Sequence, residues 1–133
     1  MLHTHSQAGT LLSQWALEQA STDGVVERAC LEVRDLEMLK GLEGITSHAC
    51  TIEIPVLANS QDLEALSAAA EPFLAGAPQG ILIGGHGLYA WGRNLGSAVR
   101  HLEILEFLLE QRWRRLLLDA ITVGTGHSKQ QWQ

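Results

Sequence analysis

Two imidazoles stand two residues apart near the start of the chain, in Leu2-His3-Thr4-His5. On an extended strand alternate side chains share a face, so His3 and His5 project together, about 6–7 Å apart along the backbone. One metal ion can span that gap, because zinc takes imidazole nitrogen at about 2.0–2.1 Å. A third imidazole, His86, lies far along the chain, fenced by Gly85 and Gly87 within Gly80-Ile81-Leu82-Ile83-Gly84-Gly85-His86-Gly87-Leu88-Tyr89-Ala90-Trp91-Gly92. Ile81 to Ile83 and Leu88 to Trp91 are short runs of strand formers. Glycine lacks a Cβ, so the residues around His86 permit a sharp bend and a close approach by another segment. A polar ring held there between buried strands needs a partner. Three histidines around one ion leave a fourth position open, the arrangement of a catalytic zinc rather than a structural one.

Chemistry at such an ion needs a group that moves protons. The candidate is Glu37, in Asp35-Leu36-Glu37-Met38-Leu39-Lys40-Gly41. Apolar Leu36 and Met38 flank it, and burial among them would raise its pKa into a range useful for acid–base work. The competing reading is an exposed glutamate paired with Lys40, three residues on. His48, His101 and His127 fall outside the metal pattern and read as structural or surface residues, with His101 on a polar face beside Arg100 and Glu103.

With 133 residues and 46% hydrophobic content, the chain suits one domain with a single core. The segment from 1 to 121 reads as that domain, and 122 to 133 as a polar, frayed tail. No run approaches the roughly 18 apolar residues of a membrane helix. A net charge of −6 argues against nucleic acid as a partner. The one basic cluster, Arg112-Trp113-Arg114-Arg115, reads as the charged end of a helix. Cys30 and Cys50 form neither a disulfide framework nor a C-x-x-C motif, so they read as reduced thiols of small core residues. With no secretory leader read at the N-terminus, a cytoplasmic protein is expected.

The elements that must position these groups follow from periodicity. Ala8 to Gln19 is predicted helical, with Leu11, Leu12, Trp15, Ala16 and Gln19 as its apolar stripe, ended by Ser21-Thr22-Asp23-Gly24. Val25 to Leu31 reads as a strand and Leu36 to Leu42 as a short helix. Thr51 to Val56 alternates and is β-branched, a strand ended near Pro55. Ser60 caps a helix from Gln61 to Leu74. Asn94 or Ser97 opens the longest helix, to about Leu118, with Leu95, Ala98, Val99, Leu102, Leu105, Leu109 and Leu116 as a stripe that Ile104, Phe107 and Leu108 widen. A stripe that wide predicts cover by a sheet and by another subunit. Several connections are too short for parallel crossovers, so the expected class is α/β or α+β with a largely antiparallel sheet under helices.

In this order, His3-Thr4-His5-Ser6, Glu37-Met38-Leu39-Lys40-Gly41, Ile54-Pro55-Val56, Asn59-Ser60-Gln61-Asp62 and Gly85-His86-Gly87-Leu88-Tyr89-Ala90-Trp91-Gly92 closely resemble the class II aldolase/adducin family, from His3 to about Leu118. Tyr89 and Trp91 after the histidine are the most specific part. They point to the branch that removes water from 5-methylthioribulose 1-phosphate, giving 2,3-diketo-5-methylthiopentyl 1-phosphate in methionine salvage, over a sugar-phosphate aldolase. The resemblance implies one Zn2+ per subunit on His3, His5 and His86, Glu37 as catalytic acid/base, and a small phosphorylated ketose as substrate. It also implies a central, mainly antiparallel sheet between helix layers and a homotetramer. Family members carry a segment ahead of the His-x-His strand, including a loop that receives the substrate phosphate. This sequence holds no such loop, so a truncated, catalytically impaired metal-binding module is the alternative expectation.

Overall fold

The computed structural model describes residues 1–21 and 26–124. Along the chain these form β1 (Leu2–Thr4), α1 (Gln7–Ala20), β2 (Arg28–Arg34), a 3-10 turn (Glu37–Gly41), β3 (Thr51–Leu57), α2 (Leu63–Leu74), β4 (Gly80–Ile83), β5 (Gly87–Ala90) and α3 (Leu95–Gly124). The strands make one sheet in the order β1-β5-β4-β3-β2, antiparallel at every pairing except β3 with β4. The predicted mixed fold, with a mainly antiparallel sheet between helices, is thus the one observed.

Side-chain alternation along the strands supplies two apolar faces. Leu31, Val33, Ile54, Val56, Leu82, Leu88 and Ala90 pack against α1 and α3, which contribute Ala8, Leu12, Ala16, Leu105, Leu108 and Leu109. On the opposite face Leu57, Ile81 and Ile83 meet Leu66, Ala70 and Phe73 of α2. The first face is the thicker core, and the centre described below straddles one end of the sheet.

Several boundaries move from their predicted places. β2 lies at Arg28–Arg34 rather than 25 to 31, because all seven of its residues pair with Thr51–Leu57. Pro55 sits inside β3 instead of ending it. Ala58 donates its N–H to Glu27 O on the β2 side, so by alternation the missing N–H of Pro55 faces β4. There the ladder begins only at Val56, and nothing is lost. Asp62, not Ser60, caps α2, accepting from Glu64 N and Ala65 N, while Ser60 Oγ accepts from Asp62 N. Asn94 Oδ1 accepts from Ser97 N at 2.8 Å and opens α3. That helix runs to Gly124, three residues into the expected tail, and residues 125–133 lie outside the described residues, as do 22–25.

Two stripes are rotated from prediction. α1 buries Ala8, Gly9, Leu12, Ser13 and Ala16, whereas Leu11 is 57% exposed. α3 centres its buried face on Ala98, His101, Leu105, Leu108 and Leu109, leaving Leu95 and Val99 exposed. His101 is therefore a core residue, 2% exposed, and not part of a polar face. Its Nδ1 pairs with Trp91 O at 2.8 Å and its Nε2 with Glu43 N at 3.3 Å. The neutral tautomer that donates from Nδ1 and accepts at Nε2 satisfies both. Cys30 is likewise exposed rather than core, and Cys50 half-buried. No helix among the described residues is long and apolar enough to cross a membrane.

Candidate metal centre

β1 is three residues long and ends because Ser6 turns the chain into α1. Ser6 has extended angles, and its hydroxyl accepts the Gly9 N–H at 3.0 Å as a helix N-cap. His3 stands in β1 directly opposite Tyr89 of β5, so the two share a sheet face, and His5 follows immediately before the cap. Between them Thr4 points to the other face and donates its hydroxyl to Glu106 Oε1 of α3 at 2.5 Å.

His86 belongs to the three-residue turn joining β4 to β5, whose last pair is Ile83 with Gly87. The turn closes through the His86 N–H to Ile83 O at 2.9 Å, with Gly85 in the left-handed region at φ +66°. The close approach expected of these glycines is that of β1. A Cβ on Gly87, whose φ is +145°, would lie 1.9 Å from Thr4 O and 3.2 Å from His5 Cα. Only a residue without a side chain lets the segment bearing His3 and His5 lie beside the turn bearing His86.

The three predicted ligands do converge. One ring nitrogen from each of His3, His5 and His86 lies within 4.8 Å of the others. Ring centroids are separated by 5.2 Å (His3–His5), 6.0 Å (His3–His86) and 4.6 Å (His5–His86). A tetrahedral ion with nitrogens at 2.0–2.1 Å needs them about 3.3 Å apart, and the two of the three rings that would close that gap, His3 and His5, are exposed. Burial, then the charges of His5 and His3, pushes the His86 pKa below its ordinary value. That favours the neutral ring, which is the ligating form. The donor set and its access to solvent therefore fit a divalent ion of borderline softness.

Of the two readings of Glu37, the structure shows the exposed glutamate paired with Lys40. Its side chain is 73% exposed and lies 2.8 Å from Lys40 Nζ, with His48 Nδ1 3.8 Å from its other oxygen. The hydrogen bond from Lys40, and then its charge, hold the carboxyl below its ordinary pKa. The anticipated burial and raised pKa are absent, because the turn buries Leu39 and leaves Glu37 and Met38 facing out. Among the described residues no hydrogen bond or ion pair joins Glu37 to the three histidines.

Two residues of the centre were not singled out for the contacts they make. Tyr89 stacks on His3 with centroids 4.9 Å apart, and its hydroxyl lies 3.3 Å from His86 Nε2. Ser13, fully buried on α1, accepts the Gly85 N–H at 3.0 Å and donates to Thr10 O at 2.7 Å. Its position four residues before Leu17 and one after Leu12 was the available signal, once α1 is turned to face the glycine turn.

Residues 1–113 match the family model described as Class II Aldolase and Adducin N-terminal domain. The curated relatives that the chain matches include several named methylthioribulose-1-phosphate dehydratase. That of Pseudoalteromonas translucida (strain TAC 125) is 42% identical over 129 residues, 96% of this chain and 56% of the relative. That of Xanthomonas oryzae pv. oryzae (strain PXO99A) is 43% identical over 111 residues, covering 83% and 45%. That of Sorangium cellulosum (strain So ce56) is 39% identical over 110 residues, covering 81% and 48%. The chain thus spans about half the length of the curated relatives it matches. With the sheet, the histidine cluster and a match across most of its length, the chain belongs to the class II aldolase and adducin N-terminal domain family.

Proposed function

We propose that the chain carries the metal-binding core of a zinc-dependent hydro-lyase that dehydrates 5-methylthioribulose 1-phosphate, with one zinc per subunit in a cytoplasmic homo-oligomer of the methionine salvage pathway. The observation that carries the metal is the convergence of His3, His5 and His86. The substrate is taken from the name that the similar proteins bear. When bound, a divalent ion supplies a Lewis acid that polarises a ketose carbonyl and stabilises charge developing on its oxygen.

The chain's own residues do the remainder. His3, His5 and His86 present their imidazoles together, with His3 and His5 open to solvent, so a substrate oxygen can approach. Tyr89 backs His3 and holds the His86 ring through its hydroxyl. Glu37 is proposed as the group that takes a proton beside the carbonyl and helps expel the hydroxyl as water. Its lowered pKa keeps it deprotonated at neutral pH, suited to the base half of that role. To act, it must leave Lys40.

A second reading is a metal-binding module without turnover, favoured by the outward pairing of Glu37 with Lys40. Turnover of methylthioribulose 1-phosphate by the zinc-loaded chain separates the two. Zinc-dependent loss of water supports the dehydratase, stoichiometric zinc without turnover supports the module, and neither zinc nor turnover removes both.

A further inference from the structure

Ser13 is the only polar residue on the buried face of α1, beside Ala8, Gly9, Leu12 and Ala16. Alanine there would favour the helix more and bury no polar atom. The hydroxyl is fully committed instead: its proton goes to Thr10 O and its oxygen accepts the Gly85 N–H. Gly85 lies beyond the end of β4, in the left-handed region, where no strand partner is available for its N–H. The helix also lies flat on this turn. A Cβ on Gly84 would sit 2.5 Å from Leu17 Cδ1, and one on Gly85 would sit 3.2 Å from Gln14 Nε2. At its other end α1 is capped by Ser6, the residue after His5. One helix therefore touches both chain segments that bring histidines together.

We infer that Ser13 is a positioning residue of the histidine centre: its hydroxyl fixes the Gly84-Gly85-His86 turn to α1 and so holds His86 in register with His3 and His5. This rests on the metal-binding reading proposed above. Metal ligands commonly depend on such supporting hydrogen bonds, whose loss weakens metal binding by about 10–100-fold.

The test compares Ser13→Thr with Ser13→Val in the full chain, since the pair share a shape and differ by one hydroxyl. Cobalt(II) affinity is read by chelator competition, the coordination geometry by the visible absorption of the cobalt form, and the Gly85 amide by hydrogen exchange. S13V should bind cobalt about 10–100-fold more weakly than S13T, with an altered absorption band and a fast-exchanging Gly85 amide. Equal affinity and equal spectra for the two variants overturn the inference, even if both melt below the parent chain. Should S13V fail to fold, Ser13→Ala takes its place against the parent. If the parent takes up no cobalt, the metal reading fails separately. The Gly85 amide then decides alone: slow in the parent and S13T but fast in S13V upholds the clamp, and one rate for all three refutes it.

Discussion

Replacing Gly87 with alanine should dismantle the centre without touching a histidine. The added Cβ would lie 1.9 Å from Thr4 O, whereas real Cβ contacts stay beyond 3.0 Å, so β1 must retreat by about 1 Å. The φ of +145° adds backbone strain of about 1–3 kcal/mol for a residue with a side chain. β1 has only three residues and pairs with β5 alone, so it is the element that yields. Thr4 lies between two of the three ligands, and its movement carries both away from His86. Disturbing the support of metal ligands typically costs about 10–100-fold in affinity, and moving two ligands at once belongs at the upper end. Zinc affinity measured by competition with a chromophoric chelator should therefore fall by about 100-fold, with a lower melting temperature for the metal-free chain. Gly76→Ala is the control: a Cβ there meets nothing within 4 Å, and both quantities should stay put. Parent-like zinc affinity and melting in G87A would refute the claim that this glycine sets the approach of β1.

The remaining predictions concern single side chains. The pKa of His86 is depressed, so between that value and about 6.5 the unfolded chain binds more protons than the folded one. Its contribution to the stability of the metal-free chain is present above about pH 6.5 and lost as pH falls through that window. His86→Gln should flatten this part of a melting-temperature profile, and an unchanged profile would count against a desolvated ring beside His5 and His3. Glu37→Gln, at an exposed position, should leave melting and zinc affinity unchanged while abolishing any dehydration; full turnover would remove Glu37 from the mechanism. His101→Ala strips partners from Trp91 O and Glu43 N–H inside the core and should destabilise by about 2–4 kcal/mol in urea unfolding. A loss well under 1 kcal/mol would mean that water replaces the ring.

Much of the fold was legible because its strongest signals are local. Ile81–Ile83 and Leu88–Ala90, split by glycines, read as two short strands around a sharp bend, and the helix expected from Ala8 begins one residue earlier, at Gln7. The meeting of His3, His5 and His86 is not local, and it was legible only through the His-x-His spacing, the glycines around His86 and the family resemblance. What escaped was set by tertiary packing. α1 turns Ala8, Gly9, Leu12, Ser13 and Ala16 inward, where Gly9 lies close to Leu109 of α3, and Leu11 faces out. His101 looked like a polar-face residue beside Arg100 and Glu103, yet two backbone partners from distant segments satisfy its ring and allow burial. The start of β2 depended on its partner strand, which periodicity along one strand does not reveal. For Glu37 the Lys40 pairing at three-residue spacing was legible, whereas the burial suggested by its apolar neighbours was not met, since Leu39 alone supplies the buried side of that short turn.

The central claim is that three imidazoles from two distant stretches share one cation. Metal analysis of the purified chain after zinc loading and desalting, repeated for His3→Ala, His5→Ala and His86→Ala, tests it most directly. One zinc per chain in the parent, lost or sharply weakened in each variant alike, is the predicted result. Zinc retained at full stoichiometry and affinity without His86, or no zinc in the parent, would contradict it.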